Sequence, residues 1–351
     1  MGDPSAGMIE IDGSFGEGGG QILRTALALS VIFKRPLTLH HIRAKRKNPG
    51  LGHQHLMAVN ALAKISGAKV EGNSIGSQKL IFIPGEVCSG DYRFQIGTAG
   101  SVTLLLQALL LPLCLSQMGF RLILEGGTHV PWSPPYHYLS EVLFPTLQLM
   151  GISVNGRIDQ WGWYPKGGGV VQVQIEPHPS LRPISLLERG SLKGIRGFSA
   201  ASLLPKHVAE RQREEALRRI EKEMKMTAEI TILPDPPSKG PGSFLFLVME
   251  SEGALAGFSS LGRRGKRAEE VAGEAVNALK DYLEAEGCVD PHLADQLIPF
   301  MVMAKGNSAF TTTRITEHLL TNLWVIQHFK NVQISVMGEK GREGKVELFI
   351  E

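Results

Sequence analysis

Met8-Ile-Glu-Ile-Asp12-Gly13-Ser-Phe-Gly16-Glu17-Gly18-Gly19-Gly20-Gln21 decides how this chain is read. Alternation of apolar and acidic residues up to Asp12 predicts a strand, and the apolar run from Ile22 to Ile32 predicts a helix. A glycine loop between them lets backbone amides approach an anion, helped by the positive end of the helix. It fits neither the dinucleotide fingerprint, because residue 21 is Gln, nor the P-loop, because no Lys-Ser/Thr follows. The loop therefore indicates anion-binding or tight-turn geometry without naming a ligand. A carboxylate inside it, Glu17, can hold Mg²⁺ or Mn²⁺ beside a phosphate or simply complement the helix end.

Outward from this segment the pattern recurs. A second helix, about Leu51 to Ile65, precedes strand-like runs Ala68 to Glu71 and Lys79 to Pro84. A second copy has strand Tyr92 to Ile96, a helix opened by Ser101, strand Arg121 to Glu125, helix Tyr136 to Met150, and strands near Ile152 to Asn155 and Val170 to Pro177. A third has helix Leu293 to Ala304, strand Ala309 to Thr312, the helix containing His318, and strands Val332 to Met337 and Val346 to Ile350. Three βαβαββ-like units predict an α/β chain of α+β type with helix-covered sheets. The stretch between copies two and three differs. It opens with strand signals, carries the charged helix Val208 to Lys225, and continues with strand Glu229 to Leu233 and a Pro/Gly turn, Pro234 to Gly242. Strands Phe244 to Glu250 and Leu255 to Ser260 and helix Ala268 to Ala285 complete it. The expected organisation is a large domain (1–186), an inserted small α/β domain (187–284), and completion of the large domain (285–351).

At 351 residues, 43% hydrophobic and 20% charged, the composition is that of a soluble globular protein. The three cysteines, Cys88, Cys114 and Cys288, are widely spaced and read as small buried hydrophobes in a reducing compartment. No run of 18 apolar residues occurs, and Ser101 to Ser116 reads as a buried helix. Met1 to Met8 lacks a signal pattern, and Ala6 breaks the myristoylation pattern. The expected location is the cytoplasm, or the nucleus in a eukaryote. Net charge is only +3, but Arg43, Lys45, Arg46 and Lys47 share one window, which in isolation reads as a solvated loop.

Several side chains invite chemistry. Arg24 lies in an apolar helix, where a guanidinium calls for an anionic partner; with Arg43 and Arg46 it can bind phosphate. Gln54 and His55 open the next helix. Pro134 and Tyr138 offer an apolar wall for a base, although Pro as a helix starter accounts for the motif as well. The glycines after Tyr164-Pro-Lys166 mark a crowded backbone. Histidines lack metal-ligand spacing, so no zinc site is expected. Thr316 is a candidate N-cap, placing His318 in a first turn where the helix dipole favours neutral imidazole. Leu319, Leu323 and Ile326 form that helix's apolar face, with His318, Asn322 and Val325 on a neighbouring stripe.

Taken together, these motifs resemble RNA 3′-terminal phosphate cyclase from about Met8 to the C-terminus. The carriers are Asp12-Gly with Glu17-Gly-Gly-Gly-Gln-Ile-Leu-Arg24, Ile42-Arg43-Ala-Lys-Arg46, Pro49-Gly-Leu with Gln54-His-Leu56, and Gly97-Thr-Ala-Gly-Ser101 with Gln107. Tyr164-Pro-Lys-Gly-Gly-Gly169, Leu293-Ala-Asp-Gln-Leu297 and His318-Leu-Leu-Thr-Asn322 complete the set. Two positions depart from the pattern: Trp161 where Arg or His usually precedes the glycine signature, and His292 where Tyr is common.

The resemblance implies a ligase that uses ATP and Mg²⁺ or Mn²⁺ to convert an RNA 3′-phosphate into a 2′,3′-cyclic phosphodiester. His318 is then the nucleophile that carries AMP, and RNA(3′)pp(5′)A the next intermediate. Gln107, His292, Leu293, Ala294, Asp295 and Gln296 are implied to contact the nucleotide, with Pro134 and Tyr138 flanking adenine. Arg24, Arg43, Arg46 and Gln54 are implied at the phosphates and the RNA end, and Glu17 at the metal. No membrane or obligate protein partner is implied. Two other readings stand beside it: a non-catalytic relative acting in ribosome assembly, which lacks the histidine, and an enolpyruvyl-type transferase, which accounts for the repeats but not His318.

Overall fold

In the computed structural model, residues 7–178 and 180–350 are described; the reading of Met1 to Ala6 falls outside them. Strand β1 (Ile9–Asp12) buries Ile9 and Ile11 and exposes Glu10 and Asp12, as its alternation requires. It is followed by α1 (Gly20–Phe33), β2 (Leu37–His40), α2 (His53–Ser66), β3 (Lys69–Glu71) and β4 (Leu80–Ile83). β1 and β2 are parallel, as a helical crossover demands, whereas β4 runs antiparallel to both β2 and β3, in the order β1-β2-β4-β3.

The second unit repeats this arrangement. It comprises β5 (Gly90–Gln95), α3 (Val102–Cys114), β6 (Phe120–Gly126), α4 (Tyr136–Tyr138) running through a π turn (Leu139–Leu143) into α5 (Phe144–Leu149), β7 (Val154–Gln160) and β8 (Gly169–Ile175). Its order is β5-β6-β8-β7. The third begins with the two-residue β9 (Ser185–Leu186) and is then interrupted. β10 (Leu192–Ser202), α6 (His207–Arg219) ending in a π turn (Ile220–Met224), β11 (Ala228–Pro234), β12 (Gly242–Ser251), β13 (Leu255–Leu261) and α7 (Ala268–Glu284) come first. Only afterwards do α8 (Pro291–Met301), β14 (Ser308–Thr312), α9 (Glu317–Phe329), β15 (Gln333–Gly338) and β16 (Gly344–Phe349) complete a sheet of order β15-β16-β14-β9. The extra segment therefore enters between the first strand and first helix of unit three.

The helices of the three units share one core: α1 packs on α2, α3 and α9, and α8 on α9. In the sheet of the interrupting segment, β11-β10-β12-β13, strand β12 is buried on both faces. Leu245, Leu247 and Met249 of β12 join a second core with α6 and α7, while Phe244, Phe246 and Val248 point into the main one. Alternation along one strand thus serves two cores.

Two expectations are corrected. Cys88 is exposed; only Cys114 and Cys288 are buried. Asn322 and Val325 are core residues, not a boundary stripe. No helix among the described residues is long and apolar enough to cross a membrane.

Candidate active site

Thr316 caps α9, its hydroxyl accepting from the Leu319 amide at 3.0 Å, so His318 stands in the first turn. Its side chain is 43% exposed, and Nδ1 lies 3.4 Å from Glu17 Oε1. Burial, together with the charges of Arg24 and Arg46, holds the imidazole pKa below its ordinary value, with Glu17 opposing them. A neutral ring whose Nδ1 faces a carboxylate leaves Nε2 as the free lone pair.

Why does Glu17 reach His318? The glycine loop is pressed onto α9. Gly16 adopts φ +53°, and a Cβ there would meet Thr321 Oγ1 at 2.6 Å. Phe15 stacks on Trp324 of α9 with centroids 4.0 Å apart. From the other side, the basic loop after β2 folds back over the glycines. Lys45 donates to the Gly16 carbonyl at 2.8 Å, and Arg46 meets Glu17 Oε2 at 3.1 Å. Lys45 and Arg46, exposed as they are, therefore have an assigned place on the loop.

Arg24 is only 8% exposed and has no acidic partner among the described residues; Nη2 donates to Gln21 Oε1 at 2.6 Å, and Nε is unpartnered. Burial lowers its pKa to about 10. His55 faces the same space: Gly20 leaves room for its Nε2, since a Cβ there would lie 2.2 Å away, and its Nδ1 is also unpartnered. Burial first, then Arg24, Arg43 and Arg46, push His55 down to about 3. Arg43, in the left-handed region at φ +53°, is fixed by donating to the Gly50 carbonyl at 2.7 Å. Three guanidinium groups converging on one neutral imidazole with unpartnered donors form a receptor for an anion.

Asn322, one turn beyond His318, locks the carrier helix in place. Its Oδ1 accepts from Gln21 Nε2 at 2.9 Å and Thr25 Oγ1 at 2.7 Å, and its Nδ2 donates to the Asp295 carbonyl at 2.8 Å. Residue 299, which would donate to that carbonyl within α8, is proline. Asn322 thus replaces the missing helix bond and ties α1, α8 and α9 together. Asp295 accepts from the Thr316 hydroxyl, and burial pushes its carboxyl up to about 8.

Asp290 is a second hub. It caps α8 through the His292 and Leu293 amides at 2.9 and 3.0 Å, and accepts from Tyr138 Oη at 2.8 Å and from the Gly257 amide at 3.2 Å. Here the sequence-based reading needs correction. Tyr138 is 2% exposed, with its hydroxyl committed to Asp290, so it has no free face for a base; it supports His292 edge-on. Leu293 and Ala294 are buried in the core, which leaves only their backbone for a ligand. His292 is exposed, while Gln296 folds back to the His292 carbonyl at 3.0 Å with Oε1 unpartnered.

Of the remaining candidates, Gln54 lies on α2, Gln107 on α3 and Pro134 in the loop ahead of α4. Gln54 accepts from the Ser101 amide at 2.7 Å, and Pro134 accepts through its carbonyl from Thr103 at 2.8 Å, one turn before Gln107. No hydrogen bond joins Gln107 or Pro134 to the His318 network among the described residues. Trp161 stacks on buried His129 with centroids 4.1 Å apart, packing beside Trp163 and Phe244, so its departure from the pattern serves the core. Asn322, Asp290 and Gln21 were missed as individual residues, because their partners lie hundreds of positions away or on another unit.

No group of three or more His, Cys, Asp or Glu side chains converges among the described residues. A single carboxylate such as Glu17 does not make a resident metal cage.

The family described as RTC: RNA 3'-terminal phosphate cyclase matches residues 15–336. The RNA 3'-terminal phosphate cyclase of Caldivirga maquilingensis is 47% identical over 94% of this chain and 95% of its own length. That of Methanopyrus kandleri is 43% identical over 97% and 98%, and that of Pyrococcus abyssi 42% over 97% and 98%. A solved EPSP synthase from Acinetobacter baumannii aligns with 98% of this chain and 64% of its own. It does so at 13% identity and a TM-score of 0.29, too loose to bear on fold or function. With matched motifs from the glycine loop to the His318 helix, this chain belongs to the RNA 3′-terminal phosphate cyclase family.

Proposed function

We propose that the protein converts an RNA 3′-terminal phosphate into a 2′,3′-cyclic phosphodiester at the expense of ATP. The observation that carries this reading is His318, neutral and half-exposed in a helix's first turn, beside a glycine loop and three convergent arginines.

In the first step Nε2 attacks the α-phosphorus of ATP. A nitrogen–phosphorus bond forms, the bond to the β-phosphate oxygen breaks, and pyrophosphate leaves. An oxygen of the RNA 3′-phosphate then attacks that phosphorus, releasing His318 and forming RNA(3′)pp(5′)A. The neighbouring 2′-hydroxyl attacks the terminal RNA phosphorus; its proton is lost and AMP departs. Covalent catalysis gives each step a competent leaving group, and the vicinal hydroxyl is already in place.

Arg24, Arg43 and Arg46 offset the charge that builds on the phosphates. Glu17 faces Nδ1 with one oxygen, which favours the tautomer with a free Nε2. A divalent ion beside Glu17 would neutralise triphosphate charge. His292, exposed at the start of α8, offers a surface for the base, with Pro134 as a second candidate, and the unpartnered Gln296 oxygen an acceptor.

The test is incubation with α-labelled ATP and Mg²⁺ or Mn²⁺, followed by denaturation. Acid-labile, alkali-stable label should appear on the wild type and be absent from His318→Asn. Folded wild type that takes no label would favour the non-catalytic, ribosome-assembly reading.

A further inference from the structure

We propose that Trp132, Tyr164, Lys166 and Lys239 form a track for the single-stranded RNA that precedes the terminal phosphate. This rests on the cyclase reading and names the part of the substrate that the phosphate site does not reach.

Trp132 is 94% exposed and sits at φ +60°, a conformation uncommon for a bulky residue. Strain and full solvation of an indole together are not what stability alone retains. Tyr164, 64% exposed, lies on the neighbouring loop. His129 and Trp163 pair as a parallel bridge, so the two segments run side by side in the same direction into the turns that carry Trp132 and Tyr164.

The cations come from two separate segments. The Lys166 stem covers Gly240, where a Cβ would meet it at 3.2 Å, and the Lys239 stem covers Gly168, at 2.6 Å. Each lysine thus crosses onto the other's loop, and both are exposed with no acidic partner among the described residues. The same loop packs toward the start of α2, which carries Gln54 and His55. Gly167 lies against Thr98 and Ala99, whose turn leads to Ser101, held by Gln54. Exposed aromatic faces beside unpaired ammonium groups are what a single strand needs: stacking that tolerates any base, and neutralisation of its backbone.

The experiment compares cyclisation of a 3′-phosphorylated oligoribonucleotide of about ten nucleotides with that of a dinucleotide 3′-phosphate. Trp132→Ala and Tyr164→Ala should each lower kcat/KM for the long substrate about fivefold or more, as loss of one stacked base predicts. The loss for the dinucleotide should be far smaller, and Trp132→Phe should recover part of the long-substrate loss. Lys166→Ala with Lys239→Ala should flatten the salt dependence of long-substrate binding by about 1.4 units of slope, at about 0.7 per charge for a single strand. Self-labelling by ATP reports separately that the folded site works; its absence from wild type would refute the cyclase reading itself. Equal losses on long and short substrates, or none on either, would overturn the track and leave these residues to a protein partner or to packing.

Discussion

Replacing Asn322 by alanine should loosen the helix that carries His318, by an amount that can be worked from its three hydrogen bonds. The side chain is fully buried and serves Gln21, Thr25 and the Asp295 carbonyl. Thr25 can turn its hydroxyl to the carbonyl one turn earlier in α1, and Gln21 is only partly buried, so both donors recover some of what they lose. The Asp295 carbonyl cannot, because Pro299 brings no N–H. One abandoned acceptor costs about 1–3 kcal/mol and the two weakened bonds about 1 kcal/mol more, for a total near 3 kcal/mol. At about 2 °C per kcal/mol for a chain of this size, Tm should fall by roughly 6 °C. The decisive measurement is a double-mutant cycle with Pro299→Ala, read by urea unfolding. Alanine restores an N–H to α8, so it should stabilise the Asn322→Ala background more than the wild type, by about 1 kcal/mol. Strict additivity, within about 0.3 kcal/mol, would show that Asn322 does not stand in for the missing helix bond.

Other consequences can be checked alongside. Arg24→Met removes a buried charge that has no acidic partner among the described residues, so stability should hold or rise while ATP labelling falls at least about a hundredfold; a loss of several kcal/mol would make Arg24 a structural residue instead. Glu17→Gln removes the one influence that raises the His318 pKa, so the acid limb of the labelling rate should move to lower pH even as the rate drops; an upward shift would contradict the assigned pairing. Asp295 has a folded pKa raised to about 8 against about 4 unfolded, so its contribution is complete below the lower value and is lost as pH rises through the upper. Wild type should therefore lose Tm progressively between about pH 4 and about pH 8 relative to Asp295→Asn, and parallel profiles would refute that linkage.

Local physics made much of this readable in advance. β1, the glycine loop and α1 announce themselves by a change of period from two to 3.6, and Thr316 by its capping chemistry. The same reasoning passes over the four-residue β2 and over β9, which at two residues has no alternation to register. β9 matters most, since it shows that unit three starts before the interrupting segment. Tyr138 failed for a different reason. A tyrosine at a helix start looks available to a base until Asp290, 152 residues later, claims its hydroxyl. Asn322 likewise reads as a boundary polar residue until α1 and α8 close around it. Arg24 was legible because a guanidinium set among leucines needs an anion close by to offset its lost hydration. Long-range hubs were not, because nothing near them in the chain differs from ordinary helix.

β12 has a further implication. With Phe244, Phe246 and Val248 committed to one side and Leu245, Leu247 and Met249 to the other, it behaves as a riveted plate between two bodies. A swing of the interrupting segment about its two connections would tear three large side chains from hydrocarbon surroundings, at roughly 2 kcal/mol each. Crosslinking the segment to its neighbours should therefore leave turnover intact.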